Sequence, residues 1–112
     1  ELRLANGRRG DVVGIGPDGM IWIVEVKSCR ADYESDPKWP EYRPFCDRLL
    51  FAVDDCFPHD LIPKDVGLII ADQFGGAIIR PAPEHKMAAA RRKAMTLRLA
   101  RHAARRAMSV SL

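Results

Sequence analysis

The chain lacks paired-cysteine spacing and long apolar runs, and its last 29 residues contain a single acid. Its three cysteines, Cys29, Cys46 and Cys56, are an odd number, and no CxxC occurs. That excludes a disulfide framework and a zinc finger. Free thiols suit the cytoplasm, and Cys46 and Cys56 read as small core or boundary residues. No stretch approaches the roughly 18 apolar residues of a membrane span, and no signal-peptide pattern is present. The three histidines, His59, His85 and His102, are scattered and carry no chemistry by their spacing. No internal repeat or low-complexity tract occurs. The chain begins at Glu1 rather than methionine, inside what reads as a strand, so upstream sequence with a helix in it is expected.

The 112 residues, 47% of them hydrophobic, fit one globular domain with one core. The net charge of +3 is unevenly spread. Residues 84–112 hold eight Lys or Arg against one acid, a net of +7, whereas residues 1–83 have a net of −4. A mildly acidic body therefore carries a strongly basic C-terminal element.

Within that body, three ionisable residues sit in two otherwise apolar segments. Gly10-Asp11-Val12-Val13-Gly14-Ile15 is followed by Gly16-Pro17-Asp18-Gly19 and then by Met20-Ile21-Trp22-Ile23-Val24-Glu25-Val26-Lys27. Pro17-Asp18-Gly19 suits a three-residue hairpin loop, a type I turn with a bulge at a left-handed glycine. Paired residue numbers then sum to 36, which sets Asp11 opposite Glu25. Opposed residues share a face with Cβ atoms about 4.5–5.5 Å apart. Lys27, two residues on, joins that face. A two-residue loop would put Asp11 and Glu25 on opposite faces.

Charges are rarely buried without a partner. Two facing carboxylates are held more readily with a cation between them. Carboxylates, waters and a phosphate suit Mg²⁺ or Mn²⁺ rather than zinc. Such a metal lowers the pKa of bound water and withdraws charge from a phosphoryl oxygen. A neighbouring lysine orients the nucleophile or offsets developing charge. The alternative is that Asp11 caps a strand and Glu25 and Lys27 form a surface ion pair. The apolar run Ile21–Val24 leading into the triplet favours a central strand.

Further along, Asn6-Gly7 signals a hairpin from a first strand into the one holding Asp11. Residues 28–35 read as a partly helical connection. Asp36-Pro37 reads as an N-cap with proline at the first helical position. A short helix over Lys38–Arg43 would put Lys38 and Tyr42 on one face, able to reach a phosphate near the carboxylates. Alternatively, Tyr42 anchors the helix to the core and Lys38 is solvated. Arg9 sums with Lys27 to 36, and two facing cations imply a nearby anion. Asp47 reads as a cap or turn residue. Arg48–Val53 and Val66–Asp72 are strands of buried type, and Phe74-Gly75-Gly76 turns into Ala77–Arg80. The last helix is expected from about Glu84 to Met108, with Met87, Ala90, Ala94, Leu97, Ala104 and Met108 as its apolar stripe. Arg91, Arg98, Arg101 and Arg105 occupy its other positions. A solvated face usually mixes signs, so this one-sign face points to nucleic-acid backbone. The mostly alanine stripe is weak for membrane insertion.

Gly10-Asp11, thirteen further residues, then Glu25-Val26-Lys27 resembles the PD-(D/E)XK nuclease motif. The central phrase Ile21–Ser28, with Asp36–Tyr42 and Cys46–Val53, resembles the MmcB family of bacterial DNA repair proteins, regarded as endonucleases of that superfamily. The resemblance runs over nearly the whole chain. It implies an α/β (α+β) fold, a restriction-endonuclease-like mixed central sheet flanked by helices, here with a long basic C-terminal helix. It implies a single domain over residues 1–112, its first core helix lying before Glu1. It implies that Asp11 and Glu25 ligate Mg²⁺ or Mn²⁺ with the Val26 carbonyl, and that Lys27 is the catalytic lysine. Gly10 stands where the motif's name has proline.

The resulting expectation is a metal-dependent DNA endonuclease acting in repair. Its nucleic-acid contacts would be Arg9, Lys38, Tyr42, Arg91, Arg98, Arg101 and Arg105. Its partners would be DNA, other repair proteins and a second copy in a homodimer, with no membrane. Some superfamily members bind without cutting, so a non-catalytic nucleic-acid or repair-partner module is the alternative. A regulatory domain whose basic helix docks an acidic protein is a third.

Overall fold

The structure is a computed structural model describing residues 2–4 and 9–111, excluding the side chains of Arg3, Arg9 and residues 109–111. The elements in chain order are β1 (Leu2–Arg3), β2 (Arg9–Gly10), β3 (Val12–Ile15), β4 (Ile21–Val26) and α1 (Arg30–Glu34). A 3₁₀ helix (Trp39–Phe45), β5 (Arg48–Val53), a 3₁₀ turn (His59–Leu61), β6 (Gly67–Asp72), β7 (Gly75–Arg80) and α2 (Ala89–Ser111) follow. The expected hairpin turn at Asn6-Gly7 lies outside the described residues, but β1 and β2 pair antiparallel on either side of it.

The main sheet has the order β3-β4-β5-β6-β7. Its inner pairs, β4 with β5 and β5 with β6, are parallel, and its outer pairs are antiparallel. This mixed sheet with helices and a long terminal helix is the expected α+β class. Parallel strands in the middle explain the continuous apolar runs of β5 and β6; β5 is buried on both faces, whereas Ile69, Ile70 and Ala71 of β6 are half-buried.

The β3–β4 turn carries the bulge. Val12 pairs with Val24, Val13 with Ile23, Gly14 with Trp22 and Ile15 with Ile21, so the residue numbers sum to 36. Gly16 N–H donates to the Met20 carbonyl at 2.9 Å, and Gly19 N–H to the Gly16 carbonyl at 2.9 Å. Gly19 has φ +83°, a left-handed conformation that only glycine adopts cheaply.

Alternation along β4 then sorts the side chains. Ile21, Ile23 and Glu25 are buried on one face, whereas Val26 on the other is 52% exposed. The buried face joins Leu49, Phe51 and Val53 of β5 and Leu68 of β6. Tyr42 and Phe45 of the 3₁₀ helix and Met95 of α2 complete that core. Tyr33 of α1 and Trp39 meet Phe51 edge-on, at centroid distances of 5.5 and 5.3 Å.

Several expectations need correction. Asp11 is not inside a continuous strand. The chain bends there, β2 pairs with β1, and Arg9 is matched to Arg3 instead of Lys27. The helix after Asp36 is a 3₁₀ helix that begins at Trp39, is capped by Lys38 and passes through Pro44 to Phe45. Pro40 and Pro44 withhold N–H donors from an α ladder, and the chain tightens to three residues per turn. Four-residue spacing therefore no longer shares a face: Lys38 is exposed and Tyr42 is buried. Cys56 is exposed rather than a core or boundary residue.

α2 starts at Ala89, not near Glu84. Residues 81–88 are held extended, because Arg48 donates to the Ala82 carbonyl and His85 N–H to the Asp47 carbonyl. The expected stripe is also displaced. Ala90, Ala94, Leu97, Ala104 and Met108 are exposed, and Met87 is buried ahead of the helix. The packed face is Arg92, Met95, Leu99 and His102. Arg92 belongs to it because Asp47, 2% exposed, accepts both arms of its guanidinium and the Ile21 N–H. Asp47 is thus a buried clamp joining the starts of β4, β5 and α2, rather than a turn residue.

Candidate nuclease-like site

At the end of β4, the ladder with β3 gives way to side chains. Asp11 N–H donates to Glu25 Oε2 at 2.9 Å, and the Val26 N–H donates to Asp11 Oδ2 at 3.0 Å. The bend at Asp11 thus replaces strand hydrogen bonds with carboxylate ones and brings Asp11 and Glu25 together. The N–H and C=O of a strand residue point to the same side. The Val26 carbonyl therefore faces Asp11 as well.

Glu25 is only 2% exposed, and Lys27, on the same face, is 7% exposed. Burial raises the Glu25 carboxyl to about 7. The charge of Asp11 adds to that rise, while the Asp11 N–H, the Tyr42 hydroxyl and Lys27 oppose it. The Tyr42 hydroxyl hydrogen-bonds Glu25; burial first, and Glu25 next, push its own pKa up.

The Lys27 ammonium lies 2.9 Å from Asp36 Oδ2. Asp36 is placed by its backbone N–H, which donates to the Tyr33 carbonyl at 3.2 Å. The single connection between β4 and β5 therefore supplies a support for each member of the pair: Asp36 for Lys27 and Tyr42 for Glu25. Sequence reasoning missed Asp36 because Asp-Pro is also a helix-start signal. The clue available was its short separation from a lysine predicted to point inward.

The basic residues lie elsewhere. Lys38 is exposed at the start of the 3₁₀ helix, and Arg43 stacks over Trp39 at 5.3 Å and pairs with Asp65. On α2, Arg91 lies over the Phe45 ring at 4.4 Å. Arg98, Arg101 and Arg105, with His102, line a groove of about 570 Å³ that Leu2 closes on the other side. The Arg9 side chain is outside the description.

The donor set is small. Among the described residues no group of three or more His, Cys, Asp or Glu is arranged around one point. Two carboxylates and a carbonyl fit a Mg²⁺-like ion that keeps waters and takes a substrate phosphate. They would not fit a closed structural zinc site.

Residues 1–112 match the family described as DNA repair protein MmcB-like. The chain belongs to the MmcB-like DNA repair family. Membership assigns it to DNA repair. The SPO1766 protein of unknown function from Silicibacter pomeroyi has a solved structure that is similar, with a TM-score of 0.90 and 50% sequence identity. The match covers 96% of this chain and 73% of that one. No curated protein matches. Among the described residues no helix of this MmcB-like chain is long and apolar enough to cross a membrane.

Proposed function

We propose that this chain is a divalent-cation-dependent DNA endonuclease acting in repair. The observation that carries the proposal is the exchange of hydrogen bonds between Asp11 and Glu25-Val26, beside a buried lysine on the same face. Asp11, Glu25 and the Val26 carbonyl would hold Mg²⁺ or Mn²⁺. The ion would supply a water of lowered pKa and withdraw charge from the phosphoryl oxygen.

The protein's own residues do the rest. Lys27 offsets charge at the scissile phosphate or orients the nucleophile. Asp36 keeps its ammonium from turning into the core. Tyr42 orients Glu25. Lys38, Arg9 and the arginines of α2 (Arg91, Arg98, Arg101 and Arg105) hold the phosphate backbone.

The test is a nuclease assay of the full-length protein with Mg²⁺ or Mn²⁺ on single-stranded, nicked, branched and duplex DNA. Asp11→Ala and Lys27→Ala are expected to lower cleavage by about a hundredfold or more while the circular dichroism spectrum is unchanged. Equal cleavage by wild type and both variants would sink the proposal.

A second reading has two observations in its favour. The Lys27 ammonium is already engaged by Asp36, and among the described residues no three potential metal ligands converge. A non-catalytic nucleic-acid module would retain such a site without turnover. Mn²⁺ titration discriminates, because the module predicts no binding that depends on Asp11 and Glu25.

A further inference from the structure

β4, β5 and β6 are parallel, so their C-terminal ends share one edge of the sheet. Lys27 stands at that edge on β4, Asp54 follows β5, and β6 ends at Asp72. A crevice of about 260 Å³ runs along the edge from Lys27 to Ala71, with Val26 and Ala52 in its floor, so it opens on the sheet face opposite the one that carries the Glu25 and Lys27 side chains. Its walls are mainly aliphatic, and it is large enough for one nucleobase.

Beyond the crevice, the β6–β7 hairpin presents Phe74, which is 88% exposed. No other large hydrophobic side chain is as exposed among the described residues. The hairpin tip is fixed: Phe74 N–H donates to Asp72 Oδ1 at 2.8 Å, and Gly75 takes φ +147°. Val26, Ala52 and Ile69 are level in the ladder. Strand spacing and rise then put Phe74 about 15 Å from Lys27, within reach of nucleotides that pass over the sheet edge from a phosphate held there.

The charge around the crevice decides what enters it. Asp54, Asp55 and Asp72 are exposed along this edge. Asp54 Oδ1 caps the Cys56 and Phe57 N–H groups, and Asp72 is engaged by Phe74. Within a Debye length, such a rim repels phosphate but not a neutral base. A duplex would bring two phosphate backbones to the same rim.

We infer that this edge is a nucleobase subsite, in which a base unstacked from its neighbours enters the crevice and the next stacks on Phe74. The inference rests on the DNA-binding part of the function proposed above and narrows its substrate. The substrate class is DNA with a single-stranded portion beside the scissile phosphate: a gap, a flap or a free strand. Stacking on an aromatic ring tolerates any base, so the preference is for structure rather than sequence.

Binding tests this without requiring cleavage. Fluorescence anisotropy of the full chain with Ca²⁺ would compare a labelled single strand with a blunt duplex at one salt concentration. The single strand is expected to bind about tenfold more tightly. Phe74→Ala should lower its affinity about tenfold, the scale of one stacking contact, and Phe74→Trp should retain it. Ala71→Leu, which narrows the crevice, should lower it too. Duplex affinity should be unchanged in all three variants, which also reports that they fold. Equal binding of both DNAs, or an equal loss on both in Phe74→Ala, overturns the subsite and leaves the nuclease proposal standing. A wild-type chain that prefers single strands but never cuts reverses that outcome. Failure to bind either DNA overturns both.

Discussion

Asp11 and Glu25 meet through a hydrogen bond from the Asp11 N–H to Glu25 Oε2, with the Asp11 carboxylate turned to the next N–H along β4. The contact orients both carboxylates but does not neutralise them. Glu25 remains buried, and Lys27, whose charge favours its ionised form, is shared with Asp36.

Stability should therefore depend on pH in a definite direction. The Glu25 carboxyl is raised from 4.5 to about 7. At low pH it is protonated in both folded and unfolded chains and costs nothing. As pH rises through this window the unfolded chain ionises first, so stability falls, by about 3 kcal/mol in all. Urea midpoints between about pH 5 and 8 should show the fall. Mn²⁺ should reverse it at the upper end, and Glu25→Gln should lack it. A wild-type profile that rises over this range, or is identical to that of Glu25→Gln, would refute the account.

Asp36→Asn should leave the Lys27 ammonium buried without its anion. The expected cost is about 2 kcal/mol, at the low end for broken buried pairs because Asp36 is itself 27% exposed. In the nuclease assay the loss should fall on kcat, with KM for DNA little changed. Asp36→Glu should recover part of it. A stability loss with an unchanged kcat would mean that Asp36 only supports the fold.

Asp47→Asn tests the clamp at the opposite end of β4. Asparagine keeps one acceptor oxygen but loses the charge that holds Arg92. The Arg92 hydrogen bond, followed by the Ile21 N–H, lowers the Asp47 pKa despite its burial. A loss of about 3 kcal/mol is expected, measured by chemical denaturation, with α2 amides exchanging faster than those of β5. Uniform exchange across both would argue against a clamp specific to α2.

The arginine groove predicts salt behaviour. Arg101→Ala and Arg105→Ala should each reduce the slope of log K against log salt for duplex DNA by about one. Lys38→Ala should do the same if the 3₁₀ helix contacts backbone. An unchanged slope in the Arg101 and Arg105 variants would remove α2 from the interface.

The parts of this fold legible in sequence were those fixed by local chemistry. Pro17-Asp18-Gly19 determined the loop type, and the loop type determined the register of Val12–Ile15 against Ile21–Val24. The strands β5 and β6 stood out because parallel central strands are apolar on both faces. The packed face of α2 did not, because Arg92 occupies a core-facing position that periodicity assigns to an apolar residue. Its partner Asp47 lies 45 residues away, beyond any local pattern. The support of Lys27 by Asp36 was hidden for a similar reason: the same dipeptide that opens a helix elsewhere here turns its carboxylate toward β4. Lys38 and Tyr42 were separated by a change of helical pitch that three prolines between residues 37 and 44 impose.

The β4-to-β5 connection has one consequence for how the molecule matures. The hairpin bringing Asp11 to Glu25 is local and forms early, whereas a parallel partner has to wait for its crossover to close. That crossover carries Asp36 and Tyr42. A nascent or partly unfolded chain thus holds two apposed carboxylates but neither a braced lysine nor an oriented Glu25. The complete arrangement around Glu25 and Lys27 is tied to completion of the sheet.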